Sequence, residues 1–206
     1  MEPKPSKYAP KSPGDVLDLV QGAPLAWIVS QGEPSGATAL PLRPVLDDSG
    51  QLIGFKGHFA RNNPQVQTLQ TQNRALILFM GPQGYVSPSW MADRTQAPTW
   101  NYAGATFDCR IEFFDEPAQI EALLVDLISD MEKDRPQSWT LAEMGARAQG
   151  LSRGIIGFDA TILDRQVAFK LGQDERDDVY SDILKGLETT GNYPLIALMR
   201  HHNPGR

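Results

Sequence analysis

Between residues 55 and 102 the chain gathers side chains that a plain hydrophobic core would not need. It reads Gly57-His58-Phe59-Ala60-Arg61-Asn62-Asn63-Pro64-Gln65, then Tyr85-Val86-Ser87-Pro88-Ser89-Trp90, then Pro98-Thr99-Trp100-Asn101-Tyr102. His58, Arg61 and Asn63 stand where a strand-like run gives way to a polar turn. A guanidinium offers a planar fork of donors suited to phosphate. An imidazole adds another donor, and Asn63-Pro64 marks a helix start whose free N–H groups favour an anion. The set describes a phosphate pocket; it equally describes a helix cap beside a solvated arginine.

Trp90, Trp100 and Tyr102, with Tyr85 and Phe79 nearby, alternate with Ser87, Ser89, Thr99 and Asn101. Flat apolar walls with polar edges suit an isoalloxazine or nucleobase ring. The same aromatics would also serve a packed loop or a subunit interface. Lys170 falls on the strand face opposite Val167, Phe169 and Leu171, the pattern of an ordinary strand lysine, and Gln173 follows it. Cys109 reads as a free, buried thiol rather than a nucleophile. No cysteine or carboxylate accompanies His201-His202 at ligand spacing, so no metal site is expected. Asp93, Asp108 and Glu112 receive no acid–base role, and no residue is assigned as catalytic.

The elements that must position these groups follow from length and pattern. The 206 residues suffice for one large domain or two small ones. A composition 41% hydrophobic and 21% charged is that of a folded chain. With 19 basic and 25 acidic residues the net charge is −6, and no basic cluster offers a face to nucleic acid. No apolar run approaches the roughly 20 residues that span a bilayer. The start, Met1-Glu2-Pro3-Lys4-Pro5, lacks a signal-peptide core, so a cytoplasmic protein is expected. The single cysteine excludes an internal disulfide framework.

Residues 1–13 read as a proline- and lysine-rich arm, and 14–206 as one domain. Strand-like runs are expected at 25–29, 38–42, 52–58, 75–79 and 106–114, with short gaps that suit antiparallel neighbours. Ile120, Leu123, Leu124, Leu127, Ile128 and Met131 recur at helical spacing within 117–133. A hairpin-like unit, 156–162 and 167–171, turns at Asp164-Arg165. A second helix, about 175–190, carries Val179, Ile183 and Leu187, and the tail adds a helical turn or two. This order predicts a Greek-key or split antiparallel β-barrel with helices packed on it.

The quoted blocks, with Gly157-Phe158 and Phe169-Lys170-Leu171-Gly172-Gln173, resemble the signature blocks of the PaiB family, over about residues 7–190. That family is described as FMN-binding negative transcriptional regulators. The resemblance implies a flavin-reductase-like split β-barrel and a homodimer with FMN at the subunit interface. It places His58, Arg61, Asn63, Ser87, Ser89, Trp90, Trp100, Asn101, Tyr102, Lys170 and Gln173 around FMN. The family commonly reads Lys-Leu-Ser-Gln-Asn-Arg where this chain has Lys170-Leu171-Gly172-Gln173-Asp174-Glu175, and an aromatic where it has Met91. Two functions follow as expectations: an FMN-binding regulator or flavin-based sensor, or a flavin-dependent oxidoreductase using NAD(P)H and a small electron acceptor. Direct contact with DNA is not expected, since neither a helix-turn-helix nor a basic face is present.

Overall fold

A computed structural model describes residues 6–206; the first five residues of the expected arm lie outside the described residues. Alternating apolar and polar residues favour strands where one face is buried. The seven are β1 (Leu25–Ser30), β2 (Gly36–Pro41), β3 (Arg43–Leu46), β4 (Leu52–Ala60), β5 (Arg74–Val86), β6 (Thr99–Phe114) and β7 (Ile155–Lys170). They form one sheet in the order β2-β1-β5-β6-β7-β4-β3. β1 pairs antiparallel with β2 and β5, and β4 with β3 and β7. The helices are α1 (Pro13–Gly22), α2 (Pro64–Thr71), α3 (Pro117–Glu132), α4 (Arg147–Ser152), α5 (Asp177–Thr189) and α6 (Tyr193–His202). The antiparallel, mainly β class with helices, expected from the sequence, is therefore present.

The expected hairpin at Asp164-Arg165 is not: β7 runs straight through as a single strand. A two-residue hairpin needs residues that accept positive φ, and no non-glycine residue described adopts it. β5 and β6 also run longer than their apolar cores suggest, absorbing Tyr85 and the segment from Thr99 to Tyr102 that read as turn-rich.

The chain divides into two compact units. The first comprises the chain up to Ala23 with Phe79–Ala105 and Gln166–Arg206; the second comprises Pro24–Leu78 and Thr106–Arg165. In the first, the arm is tied down: the Phe169 N–H donates to the Tyr8 carbonyl at 2.8 Å, and Lys7 pairs with Asp174 at 2.5 Å. Val179, Tyr180, Ile183 and Leu187 of α5, and Leu195 and Met199 of α6, are buried. A capping box between Ser12 and Asp15 starts α1.

In the second unit, Ile120, Leu123 and Leu127 make the buried stripe of α3. Phe59 lies 5.2 Å from Phe158 and 6.2 Å from Phe113, ring centre to ring centre. Gly57 permits the close approach of this cluster, because a Cβ there would fall 2.6 Å from Leu42 and 2.9 Å from the Phe158 ring. Both neighbours are fully enclosed. Gly57→Val should therefore cost about 1–3 kcal/mol through overpacking. A urea midpoint that matches the parent would show that this contact can relax.

Candidate functional site

The second unit holds the β4–α2 corner. β4 pairs with β7 so that His58 lies opposite Gly157 and Lys56 opposite Asp159. Phe55, Gly57 and Phe59 take the buried face, leaving Lys56 and His58 on the other. Lys56 forms an ion pair with Asp159 at 3.1 Å. The Nδ1 atom of His58 is buried and finds no hydrogen-bond partner among the described residues. Burial alone lowers the pKa of this imidazole, favouring its neutral form.

Arg61 follows β4 and is firmly held. Its Nε donates to the Arg153 carbonyl at 3.2 Å, and Nη2 to the Ile155 carbonyl at 2.9 Å. Nη1 faces Asp115 at 3.3 Å, an exposed pair that contributes little to stability.

Asn63 caps α2: its side-chain oxygen accepts from the Gln65 N–H at 2.9 Å, and its amide donates to Thr38 Oγ1 at 3.1 Å. Thr38 donates to Gln65 Oε1 at 2.7 Å, and Gln65 Nε2 donates to the carbonyls of Ile28 and Gly36. The Val66 N–H is bound to the Asn63 carbonyl. Asn63 thus performs the helix-cap role that the sequence left open.

The first unit holds the aromatic and late-block residues. Ser87 Oγ accepts from the Ser89 N–H at 3.2 Å and lies 2.7 Å from Ser89 Oγ, shaping a short 3-10 turn, Pro88–Trp90. Trp90 packs on α5 at Gly186, where a Cβ would fall 2.2 Å from the indole. Asn101 is 2% exposed and its amide points at Met199 Sδ, 3.6 Å away. Tyr102 is half-buried. Trp100, 53% exposed, meets Tyr85, 46% exposed, edge to face with ring centres 6.0 Å apart. Of the aromatics grouped by sequence, this pair is the one that presents flat surface. Tyr85 was outside the expected ring contacts, although its place in the same block was visible. Lys170 donates to Thr99 Oγ1. Gln173 accepts from the Leu171 N–H at 2.7 Å and donates to the Phe169 carbonyl, so both ends of its amide hold the local turn.

The unassigned groups now have clear positions. Asp93 accepts from the side chain and N–H of Thr95, then from Gln96 and Arg176, which hold it well below the usual carboxylate range. Such a carboxylate is no general acid near neutrality. Asp108 pairs with Arg74, and Glu112 with Arg110. Burial, first of all, pushes the Cys109 thiol up to about 12, which fits the inert thiol expected.

Residues 4–164 match the family model "Putative FMN-binding domain", and the chain belongs to that family. The fold is the flavin-binding split antiparallel β-barrel class. Within that class, the chain is 30% identical over 181 residues to protease synthase and sporulation protein PAI 2 of Bacillus subtilis (strain 168). That alignment covers 86% of this chain and 85% of the relative. Among solved structures, a FAD and heme binding protein from Mycobacterium smegmatis superposes with a TM-score of 0.59 at 17% identity, covering 86% of this chain and 79% of the other. The flavocytochrome Anf3 from Azotobacter vinelandii gives 0.58 at 13% identity, with 84% and 74% covered. Among the described residues, no helix is long and apolar enough to cross a membrane.

Since burial disfavours the charged imidazole of His58, and of His202, folding should weaken as these groups are forced to protonate. Their contribution is fully present above the ordinary histidine pKa of about 6.5. It declines as pH falls through that value toward the lowered folded ones. Chemical denaturation from pH 8 to 5 should show the decline, and His58→Gln should flatten part of it. An unchanged slope in the variant would remove His58 from this account.

Proposed function

We propose that this protein is an FMN-binding negative transcriptional regulator, or flavin-based sensor, of the PaiB type, acting as a cytoplasmic homodimer in which residues 14–206 form one domain. The observation that carries the reading is the buried, unpartnered Nδ1 of His58 at the end of β4, with the held guanidinium of Arg61 three residues on, within the stretch that matches the FMN-binding family. A buried polar atom without a partner costs free energy, and a ligand atom there recovers it. The residues at this corner therefore fit the flavin's phosphate end.

His58 and Arg61 are assigned to the phosphate. Asn63 holds the turn between them and α2. The exposed edge-to-face pair of Trp100 and Tyr85 is assigned to the isoalloxazine ring, contributed by the second copy of a homodimer. Ser87, Ser89, Trp90, Asn101, Tyr102, Lys170 and Gln173 shape the ring-facing segment through their packing and their turn hydrogen bonds. FMN, when bound, supplies the capacity to accept and release electrons. The protein supplies a neutral imidazole, a fixed cation and a flat aromatic surface.

The relative in Bacillus subtilis, named for protease synthesis and sporulation, supports the regulatory part. A net charge of −6 directs that regulation through a protein or small-molecule partner rather than direct binding to DNA.

Titration of the purified protein with FMN, followed by tryptophan quenching, tests the reading. The parent should bind, and Arg61→Ala should bind about tenfold more weakly or worse, as loss of a charge-assisted contact of roughly 1.5–3 kcal/mol requires. Trp100→Leu should lose most of the quenching while the dimer persists. Failure of the parent to bind flavin would end this proposal; equal affinity in Arg61→Ala would end the phosphate assignment. Rapid anaerobic reduction of the bound flavin by NADH or NADPH would turn the reading toward an oxidoreductase.

A further inference from the structure

Three residues from opposite ends of the chain converge within the first unit. His201 and His202 close α6, and Asp15 lies in the first turn of α1. His201 Nε2 stands 3.8 Å from Asp15 Oδ1, and His202 Nε2 stands 4.0 Å from Asp15 Oδ2. One potential ligand atom from each residue lies within 4.8 Å of the other two.

His202 is 2% exposed, yet its Nε2 has no hydrogen-bond partner among the described residues. Its ring is fixed by stacking on Phe169, with centres 4.8 Å apart and planes 22° from parallel. A histidine at a helix C-terminus is ordinarily favoured as a cation by the helix dipole. Here burial outweighs that preference and the pull of Asp15, and lowers the pKa toward the neutral ring. Asp15 is also buried. Burial opposes its charge, but the N–H groups of Ser12 and Lys11 more than compensate, and its pKa falls. Oδ2 accepts from both N–H groups, whereas Oδ1 accepts only from Ser12 Oγ, at 3.2 Å, and keeps a lone pair free. Oδ1 is also the oxygen nearest His201.

All three residues border a cavity of about 360 Å³, whose wall includes Leu19, Pro82, Ala103, Phe169 and Leu198. The cavity leaves room for a water or a small anion beside the cluster.

We propose that Asp15, His201 and His202 form a binding site for a divalent transition-metal ion, with zinc the best match to two imidazoles and one carboxylate and with an open coordination position toward the cavity. Zinc takes nitrogen and oxygen ligands at about 2.0–2.2 Å. Donor atoms around it must therefore approach somewhat closer than they stand here. His201 is exposed and free to rotate inward, and it gives an entering ion a path from solvent. The ion would satisfy the stranded His202 nitrogen and join the first and last described helices of the chain.

The test uses the full-length protein, stripped with a chelator and then titrated with Zn²⁺ by calorimetry and with Co²⁺ by visible absorption. One equivalent per chain is expected, with ligand-field bands for cobalt and a higher melting temperature with zinc. His201→Ala, at an exposed position, should fold as the parent does and weaken binding at least about 100-fold, since even supporting residues around a metal are worth 10–100-fold. His202→Phe keeps an aromatic ring on Phe169, and Asp15→Asn keeps an acceptor for the α1 cap. Both should lose the cobalt bands while circular dichroism remains that of the folded chain. Binding below half an equivalent in the parent, or unchanged affinity in His201→Ala, would overturn the proposal. FMN affinity measured on the same variants should not change, which separates this site from the flavin reading.

Discussion

The register between β4 and β7 is the constraint on which the second unit depends. Pairing Gly57 with Phe158 and His58 with Gly157 sends Phe55 and Phe59 into the core and leaves Lys56 and His58 on the opposite face. A slip of one residue would exchange the faces, placing an imidazole and an ammonium among phenylalanines. Such a slip is resisted from both sides. The Phe59–Phe158 contact requires the aromatic partners, and the lack of a Cβ at Gly57 lets Phe158 and Leu42 close over the strand. The same register fixes where β4 ends and therefore where Arg61 meets the Arg153 and Ile155 carbonyls at the start of β7.

The first unit is held differently. Its residues come from three separated stretches, joined by polar contacts that each satisfy an otherwise exposed or buried backbone group. Gln173 clamps the turn after β7 with both ends of its amide, while Asn203 donates to the Leu171 and Met199 carbonyls and Asn192 to the Gln83 carbonyl. Arg206 reaches Asp177 and the Gly172 carbonyl. Where the family commonly has serine, asparagine and arginine, Gly172, Asp174 and Glu175 serve this local scaffold: Asp174 anchors Lys7, and the Glu175 carbonyl receives Arg206.

Helical periodicity was legible because it is local. The buried stripe Ile120, Leu123, Leu127 and the stripe Val179, Ile183, Leu187 each follow from the spacing of apolar residues alone. Most strand positions were nearly as clear, but β3 was not expected, β7 was read as two strands, and strand length was not legible. Tyr85 and the stretch from Thr99 to Tyr102 carry the polar, proline-flanked composition of turns, yet pairing with neighbours far along the chain keeps them extended. Side-chain roles were the least legible. Nothing in the order of residues tells that Asn101 will face a sulfur atom, that Trp90 will lie on Gly186, or that the amide of Gln173 will be consumed by its own turn. The meeting of Asp15 with His201 and His202 was hidden for the same reason: ligand spacing in sequence detects sites built from one turn or one helix, and these groups lie nearly a full chain length apart.

The two carbonyls that grip Arg61 have a kinetic consequence. A free arginine samples many rotamers, and an anion that captures one must halt that motion, losing entropy at the moment of encounter. Here the side chain was immobilised when the chain folded. Asp115, sharing the remaining nitrogen at 3.3 Å, acts as an internal understudy that keeps the fork aimed. In the proposed phosphate role, an incoming anion would exchange with this exposed carboxylate instead of organising a mobile arm. Under that proposal, the ligand's residence would depend on how well it competes with Asp115, which is held close by the chain.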